Sequence, residues 1–486
     1  VNADDPGMHS SQNEQDNRRY AKAMKICMLE PADSQECLDM TKAAYEISEK
    51  YESPVMIRLT TRVDHSKSLV ELGERKEVPA VPYVKQRDRL DDVPAVSKQR
   101  RYVIEEREKQ LKEYSENSPF NYEEMHDTKI GIVASGVAYM YAKEVLGDKA
   151  SYLKIGFSYP LPIEKIRAFS KKVDTLYVVE ELDPVMEEQI KAAGIDCHGK
   201  DVIPNIDELN PNIVATGILG KGFPSKTVPD GLFVPRPPAL CAGCPHRGFF
   251  YELGKRKDTV MVGDIGCYAL GGSEPLNAKD IGGCMGSAFS IGHGMSHAFS
   301  KSGQQKRVVA CMGDSTFFHT GINSLTEVSY NKSNTICVIL DNRITGMTGH
   351  QDNPGSGYNI KGEPTTLIDV ERVVHALGLK NVRTVNPNNL ADMKATLDWV
   401  VIITRWPCVL KKFSQEDAEE FNLDHTPCVV DEEKCIGCKK CMTTGCPALR
   451  FNLKDKKSEI VESDCVGCRV CAQVCPVKAI SRKGYK

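Results

Sequence analysis

Two sets of residues in this chain have the types and spacing to do chemistry. The first is Gly313-Asp314-Ser315, with Asn342 28 positions beyond Asp314. A β-branched run, 307–312, ends at the first group, and a second, 335–340, ends just before Asp341-Asn342, with a helical pattern between them. Strand, helix, strand in that order implies parallel neighbours, so Asp314 and Asn342 should emerge together at the carboxyl edge of one sheet, where open α/β sheets bind ligands. A carboxylate and an amide oxygen suit Mg2+, which takes few protein oxygens and fills its octahedron with water and phosphate oxygens. The partner expected is therefore a diphosphate, met also by the helix N-terminal amides after Gly313.

The second set is a repeat. Cys435-x2-Cys438-x2-Cys441-x4-Cys446-Pro447 recurs 30 residues on as Cys465-x2-Cys468-x2-Cys471-x3-Cys475-Pro476. Cys-x2-Cys pairs also make zinc sites. A third cysteine at the same spacing and a Cys-Pro close in both copies favour iron–sulfur clusters, in which the fourth cysteine of each run serves the other cluster. Cys435, Cys438, Cys441 and Cys475 should hold one [4Fe-4S] cluster, and Cys465, Cys468, Cys471 and Cys446 the other; Cys428 has no assignment. The tail has little apolar sequence, so cluster binding should supply much of its stability.

The elements that position these residues need several domains, because 486 residues exceed one hydrophobic core. Charge is nearly balanced at −3, which gives no footing for nucleic acid, and no apolar run approaches membrane-spanning length. Eight of the 19 cysteines fall between 435 and 475, beside a large enzyme-like body, which fits metal-bound thiolates in a reducing cytoplasm better than a disulfide scaffold. The chain opens on Val1 with no secretory signal, which suggests a truncated or processed piece. Residues 1–72 read as the later part of an α/β domain, and 73–128 as a charged connector with a solvated helix over 96–115. Residues 129–202 alternate strands and helices as a small parallel-sheet domain. Residues 203–236, rich in Pro and Gly, read as a linker, 237–425 as the diphosphate-binding domain and 426–486 as the cluster domain. Small residues over 282–297 suggest a helix that either packs tightly on the sheet or walls the site.

Gly-Asp-x followed about thirty residues later by a strand ending in Asp-Asn resembles the thiamine diphosphate signature. The resemblance implies Mg2+ ligation by Asp314, Asn342 and the carbonyl of Ile344, with Gly313 and Ser315 beside the cofactor; Asp341 departs from the usual Asn at a position that is not a ligand. The loop from Thr345 through Thr348 to Gln351 resembles the one that 2-oxoacid:ferredoxin oxidoreductases set beside the thiazolium. Asp4-Asp5-Pro6-Gly7, the run 10–16, Glu30-Pro31 and Thr60-Thr61-Arg62 resemble the pyrimidine-binding domain of the large subunit of indolepyruvate:ferredoxin oxidoreductases, where the activating glutamate lies upstream of this stretch and hence before Val1. Residues 129–202 resemble the family's transketolase C-terminal-like domain. Relatives bind a further [4Fe-4S] cluster through cysteines patterned like Cys241, Cys244 and Cys267, with Cys408 as the candidate fourth; the alternative is unligated loop thiols.

The resemblance implies an α/β multidomain thiamine fold, parallel sheets flanked by helices, with a C-terminal two-cluster ferredoxin-like α+β domain. It also implies oxidative decarboxylation of an aryl pyruvate such as indolepyruvate, with coenzyme A as acyl acceptor and ferredoxin as electron acceptor, in a cytoplasmic hetero-oligomer with a smaller beta subunit. Alternatives are another 2-oxoacid as substrate, or a non-catalytic electron-transfer subunit.

Overall fold

The computed structural model describes residues 1–224, 228–229, 231–233, 237–397 and 399–484. It divides into two compact units, Val1–Asp230 and Gly231–Lys486. Among the described residues no helix is long and apolar enough to cross a membrane.

The first unit holds two four-stranded sheets. In one, β1 (Asn2–Asp4), β2 (Cys27–Leu29), β3 (Val55–Thr60) and β7 (Phe157–Tyr159) run in the order β1-β3-β2-β7. Helix α1 (Ser34–Tyr51) begins where the Asp33 side chain accepts the Glu36 N–H, an N-cap. In the other sheet the order is β4-β6-β5-β8, built from β4 (Asn121–Glu124), β5 (Ile130–Ser135), β6 (Ser151–Ile155) and β8 (Thr175–Val179). Strand β7 (Phe157–Tyr159), which immediately follows β6, pairs antiparallel with β2. The segments expected as separate domains, 1–72 and 129–202, thus share strands within one unit.

The charged connector holds the helix expected there, α2 (Pro94–Asn117), and it is not wholly solvated: it buries Leu111 and Ser115. The linker expectation for 203–236 needs correcting where α3 (Pro211–Leu219) forms. Asn210 accepts the Ile213 N–H as N-cap and Pro211 occupies the first helical turn, so the proline there starts a helix rather than extending a linker. Residues 225–227, 230 and 234–236 of that expected linker lie outside the described residues.

The second unit is organised by one six-stranded, wholly parallel sheet, β10-β9-β11-β12-β14-β13. Its strands are β9 (Thr259–Gly263), β10 (Ile281–Gly282), β11 (Arg307–Gly313), β12 (Thr335–Asp341), β13 (Val382–Val385) and β14 (Val401–Arg405). Alternate residues enter two different cores. Val309, Cys311, Val338 and Leu340 join one; Val308, Ala310, Met312, Cys337 and Ile339 join the other. Burial on both faces is why these strands read as continuous apolar runs rather than alternating ones. Helices α4 (His246–Leu253) and α5 (Ala288–Ser302) flank the sheet. The small-residue helix therefore begins later than residue 282, because Ile281–Gly282 is taken into the sheet as an edge strand. The tail adds two small antiparallel pairs, β15 (Cys428–Val430) with β18 (Ile480–Arg482) and β16 (Leu449–Asn452) with β17 (Lys457–Ile460).

Candidate functional site

Register sets the site. Gly313 pairs with Leu340, so β11 and β12 end level and deliver Asp314 and Asn342 side by side at the carboxyl edge. A short helix, Asp314–Thr316, then a π-helical stretch, Phe317–Gly321, follow β11, an irregularity common at functional sites. After β12 the chain reverses at Arg343, whose φ of 60° is unusual for a residue with a side chain. That reversal turns the Ile344 carbonyl back toward the Asn342 side chain, which in turn accepts the Ile344 N–H at 3.3 Å. The Arg343 guanidinium is held by Glu420 at 2.8 Å.

Three oxygens converge here. Asn342 Oδ1 lies 3.2 Å from Asp314 Oδ1 and 2.6 Å from the Ile344 carbonyl oxygen. Apart from the Ile344 N–H at 3.3 Å this oxygen faces only oxygens, which repel unless a cation lies between them. Turning the amide over would satisfy both contacts by hydrogen bonds. The present orientation instead gives Asn342 Nδ2 a neighbour in His246 Nε2 at 3.5 Å. Burial lowers His246 to about 4, so the ring is neutral and one nitrogen can accept. An octahedral Mg2+ with ligands at about 2.1 Å has adjacent oxygens about 2.9 Å apart, the spacing this trio brackets. The donor set fits the ion. The remaining Asp314 oxygen accepts from Asn353 Nδ2 at 3.1 Å, and burial, with Asp341 nearby, pushes the Asp314 carboxyl up to about 8. A buried carboxylate this reluctant to ionise is one that a cation would stabilise strongly.

The trio opens into a cavity lined by all seven residues expected at the cofactor, Gly313, Asp314, Ser315, Asn342, Ile344, Thr345 and Thr348, together with His246, Cys267, Tyr268 and Met285. A Cβ on Gly313 would lie 2.9 Å from the Tyr268 ring, so that strand end must stay bare. The 345–351 loop is closed on itself: Thr345 N–H donates to the Gln351 carbonyl at 2.9 Å, and the Thr348 hydroxyl meets Gln351 Oε1 at 2.6 Å. Sequence reasoning did not assign His246, Asn353 or Asp264. Asp264 is fully buried, accepts from the Tyr268 hydroxyl and from Gly286 N–H at 2.8 Å, and is raised to about 6 by burial. The Cys-Pro-His-Arg string ahead of α4 was the available signal for His246; Asn353 had none.

Of the four cysteines considered for a further cluster, Cys408 sits beside the trio, its N–H donating to the Asn342 carbonyl at 3.0 Å. A methyl group on Gly346 would lie 3.6 Å from the Cys267 sulfur and 3.9 Å from that of Cys408, so these thiols flank one point. Burial, then the neighbouring thiols of Cys408 and Cys241, raise the Cys267 thiol. Cys241 and Cys244 share a tight turn ahead of α4. Among the described residues no three His, Cys, Asp or Glu side chains are already drawn to metal-binding distance.

In the tail the cysteines sort themselves around two cavities. One is lined by Cys435, Cys438, Cys441 and Cys475; the other by Cys446, Cys465, Cys468 and Cys471, with Cys428. The fourth cysteine of each run thus faces the cavity of the other run. The two runs also share a backbone device: Gly437 and Lys439 in the first, Gly467 and Arg469 in the second, all adopt φ between 58° and 68°. A Cβ on either glycine would sit 2.3 Å from a carbonyl oxygen, so each Cys-x-Gly-Cys turn requires the glycine. Cys428 N–H donates to Cys465 Sγ and Ala479 N–H to Cys475 Sγ, each at 3.3 Å. The second cavity also touches the 241–244 turn, and the fully buried Arg247 guanidinium ties that turn to the tail by donating to the Thr444, Leu240 and Cys241 carbonyls at 2.7, 2.6 and 2.9 Å.

Residues 264–411 match the family described as thiamine pyrophosphate enzyme, C-terminal TPP binding domain, and 428–481 match the 4Fe-4S dicluster domain. Proteins named indolepyruvate oxidoreductase subunit IorA are similar over nearly the whole chain. That of Pyrococcus horikoshii is 36% identical, covering 99% of this chain and 81% of its own. That of Methanothermobacter marburgensis is 38% identical over 100% and 81%, and that of Archaeoglobus fulgidus 37% over 93% and 76%. A parallel sheet ending in a convergent oxygen trio, joined to a double cysteine repeat and matched at this level, carries one conclusion: the chain belongs to the IorA family of thiamine-dependent 2-oxoacid:ferredoxin oxidoreductases, enzymes that pass electrons to iron–sulfur acceptors.

Proposed function

We propose that this chain is the large subunit of a cytoplasmic enzyme that converts an aryl pyruvate, indolepyruvate first among them, coenzyme A and two oxidised ferredoxins into the aryl-acetyl-CoA, CO2, a proton and two reduced ferredoxins. A smaller beta subunit completes the hetero-oligomer. The observation that carries this reading is the oxygen trio of Asp314, Asn342 and Ile344 in a chain that also carries the double cysteine repeat. Thiamine diphosphate, when bound, supplies the carbanion and electron-sink chemistry that cleavage beside a 2-oxo group needs.

The chain's own residues do the rest. Asp314, Asn342 and the Ile344 carbonyl would hold Mg2+ for a diphosphate, and the backbone after Gly313 would add N–H donors. The neutral His246 keeps the Asn342 amide turned with its oxygen toward the ion. Thr345 and Thr348 fix the loop that lines one side of the cavity. Cys435, Cys438, Cys441 and Cys475 would hold one [4Fe-4S] cluster and Cys465, Cys468, Cys471 and Cys446 the other, groups whose chemistry is one-electron transfer. A third on Cys241, Cys244, Cys267 and Cys408 would stand next to the Mg2+ site, a placement the Cys408–Asn342 backbone contact supports.

The test is ferredoxin reduction by the assembled enzyme with a panel of 2-oxoacids and coenzyme A. Turnover fastest with indolepyruvate and phenylpyruvate supports the reading; a preference for pyruvate or 2-oxoglutarate replaces the substrate and keeps the chemistry.

A further inference from the structure

The tail from residue 426 carries nine cysteines, one more than two four-ligand clusters take. The extra one is Cys428, fully buried in β15, and it lines the same cavity as Cys446, Cys465, Cys468 and Cys471. Its N–H donates to Cys465 Sγ at 3.3 Å, and its thiol lies within hydrogen-bonding reach of the Cys465 and Cys471 thiols. A buried cysteine with only a packing role behaves as a small hydrophobe. Packing accounts for the burial of Cys428 but not for its place beside two ligand sulfurs, as a fifth thiol round a space that needs four.

The internal repeat shows that this place is built. The cysteine runs are offset by 30 residues, and 30 residues after Cys428 stands Ser458, so that each is seven residues ahead of the first cysteine of its own run. Both cross over, as Cys446 and Cys475 do. Cys428 faces the cavity of the second run, beside its third cysteine, Cys471. Ser458, in β17, lines the cavity of the first run, where the third cysteine, Cys441, donates from Sγ to the Ser458 hydroxyl at 3.1 Å. The two positions match in placement and differ in one atom, sulfur against oxygen. Cluster iron takes soft thiolates, and a serine hydroxyl gives up its proton far less readily than a thiol. Among the described residues no fifth cysteine lines the first cavity.

We propose that Cys428 is a reserve ligand of the second cluster, able to take the place of Cys465. The inference rests on the cluster reading of the tail and adds a residue to it. Cys465 is the ligand exchanged because its sulfur is met by both the N–H and the thiol of Cys428, so the swap moves one side chain over a short distance. The bond from iron to Cys465 Sγ breaks and one to Cys428 Sγ forms. The Cys428 thiol proton passes to the departing Cys465 sulfur along their hydrogen bond, and no electron is gained or lost. The second cluster therefore survives the loss of this ligand, whereas the first, with Ser458 in the matching place, does not survive the loss of Cys435.

The experiment is anaerobic reconstitution of the full chain with iron and sulfide, read by iron content and by electron paramagnetic resonance. Cys465→Ala should keep the iron content of the parent and show no three-iron signal. Adding Cys428→Ala to it should remove between about one and four irons per chain, as a three-iron or an empty site, and Cys435→Ala, the counterpart of Cys465→Ala in the first run, should lose as much. Cys428→Ala alone should keep the parent iron content, which shows that the tail folds without this thiol and that Cys428 is not a resident ligand. Cys465→Ala that loses as much iron as the double variant overturns the proposal, as does Cys428→Ala that loses a cluster by itself, or Cys435→Ala that keeps all its iron and so needs no fifth thiol. A parent that loads zinc and no iron overturns the cluster reading instead, and this inference with it.

Discussion

Replacing Asp314 by Asn separates what the carboxylate does for the empty protein from what it does for the ligand. In the absence of a cation its carboxyl is buried, faces the Asn342 amide oxygen at 3.2 Å and is raised from 3.8 to about 8. A folded-state value above the unfolded one means that stability is fully present below the ordinary carboxyl range and is lost as pH rises toward about 8. The slope between those limits is about 1.4 kcal/mol per pH unit. Asparagine has the same shape, carries no charge and can donate to the oxygens of the trio. The cation-free variant should therefore be more stable than the parent at pH 7, and the gap should widen by a little over 1 kcal/mol per unit between pH 6 and 7.5. Ligand binding should show the reverse. Saturating Mg2+ and thiamine diphosphate at 100 times the dissociation constant stabilise a one-site protein by about 2.7 kcal/mol. The parent should show this and the variant should not. Urea unfolding of the second unit's tryptophan signal, with and without Mg2+ and thiamine diphosphate, measures both. A variant less stable than the parent at pH 7 without ligand refutes the account of the buried carboxylate; a variant that keeps the ligand-induced gain removes Asp314 from the ion.

Other outcomes follow from the packing. A Cβ on Gly243, whose φ is 69°, would lie 1.9 Å from Val466 Cγ2, so Gly243→Ala should cost about 2–4 kcal/mol from backbone strain and overpacking, with Val466→Ala restoring the overpacking share in the double variant. Arg58, 4% exposed, pairs with Asp4 at 2.5 Å and Glu30 at 2.7 Å; Arg58→Leu should cost about 3–5 kcal/mol in denaturant unfolding at neutral pH, less in mild acid where the stranded carboxyls take up protons. Reconstitution should load about eight irons on the tail. Cys475→Ser should alter the paramagnetic signal of the cluster on Cys435, Cys438 and Cys441, not that of its sequence neighbour Cys471; tail zinc without iron overturns the redox assignment.

How much of this was legible in the sequence varies by residue. The meeting of Asp314 and Asn342 was readable because two β-branched runs joined by a helix have essentially one handed arrangement, which fixes the edge. The crossing of Cys446 and Cys475 between cavities was readable because the repeat brings its own spacing. Asn353 and Asp264 were not, since each arrives from a separate loop or strand and touches the site only through tertiary contact. The antiparallel pairing of β7 with β2 was equally hidden: a three-residue strand leaves no period, and its partner lies well over a hundred residues earlier. Asn210-Pro211 did carry a helix-start signal, outweighed in the linker reading by the glycines after it.

Arg247 has a consequence for traffic between the two ends of the second unit. Its guanidinium is a rigid fork with one prong on the Thr444 carbonyl of the tail and another on the Leu240 and Cys241 carbonyls where the 241–244 turn begins. Tunnelling falls steeply with separation, so if the clusters proposed for these two regions are both bound, the gap between them would be set by a cross-brace that itself never changes oxidation state. Lysine there would keep the charge yet lose the fork, letting the spacing wander and turning one transfer rate into a spread.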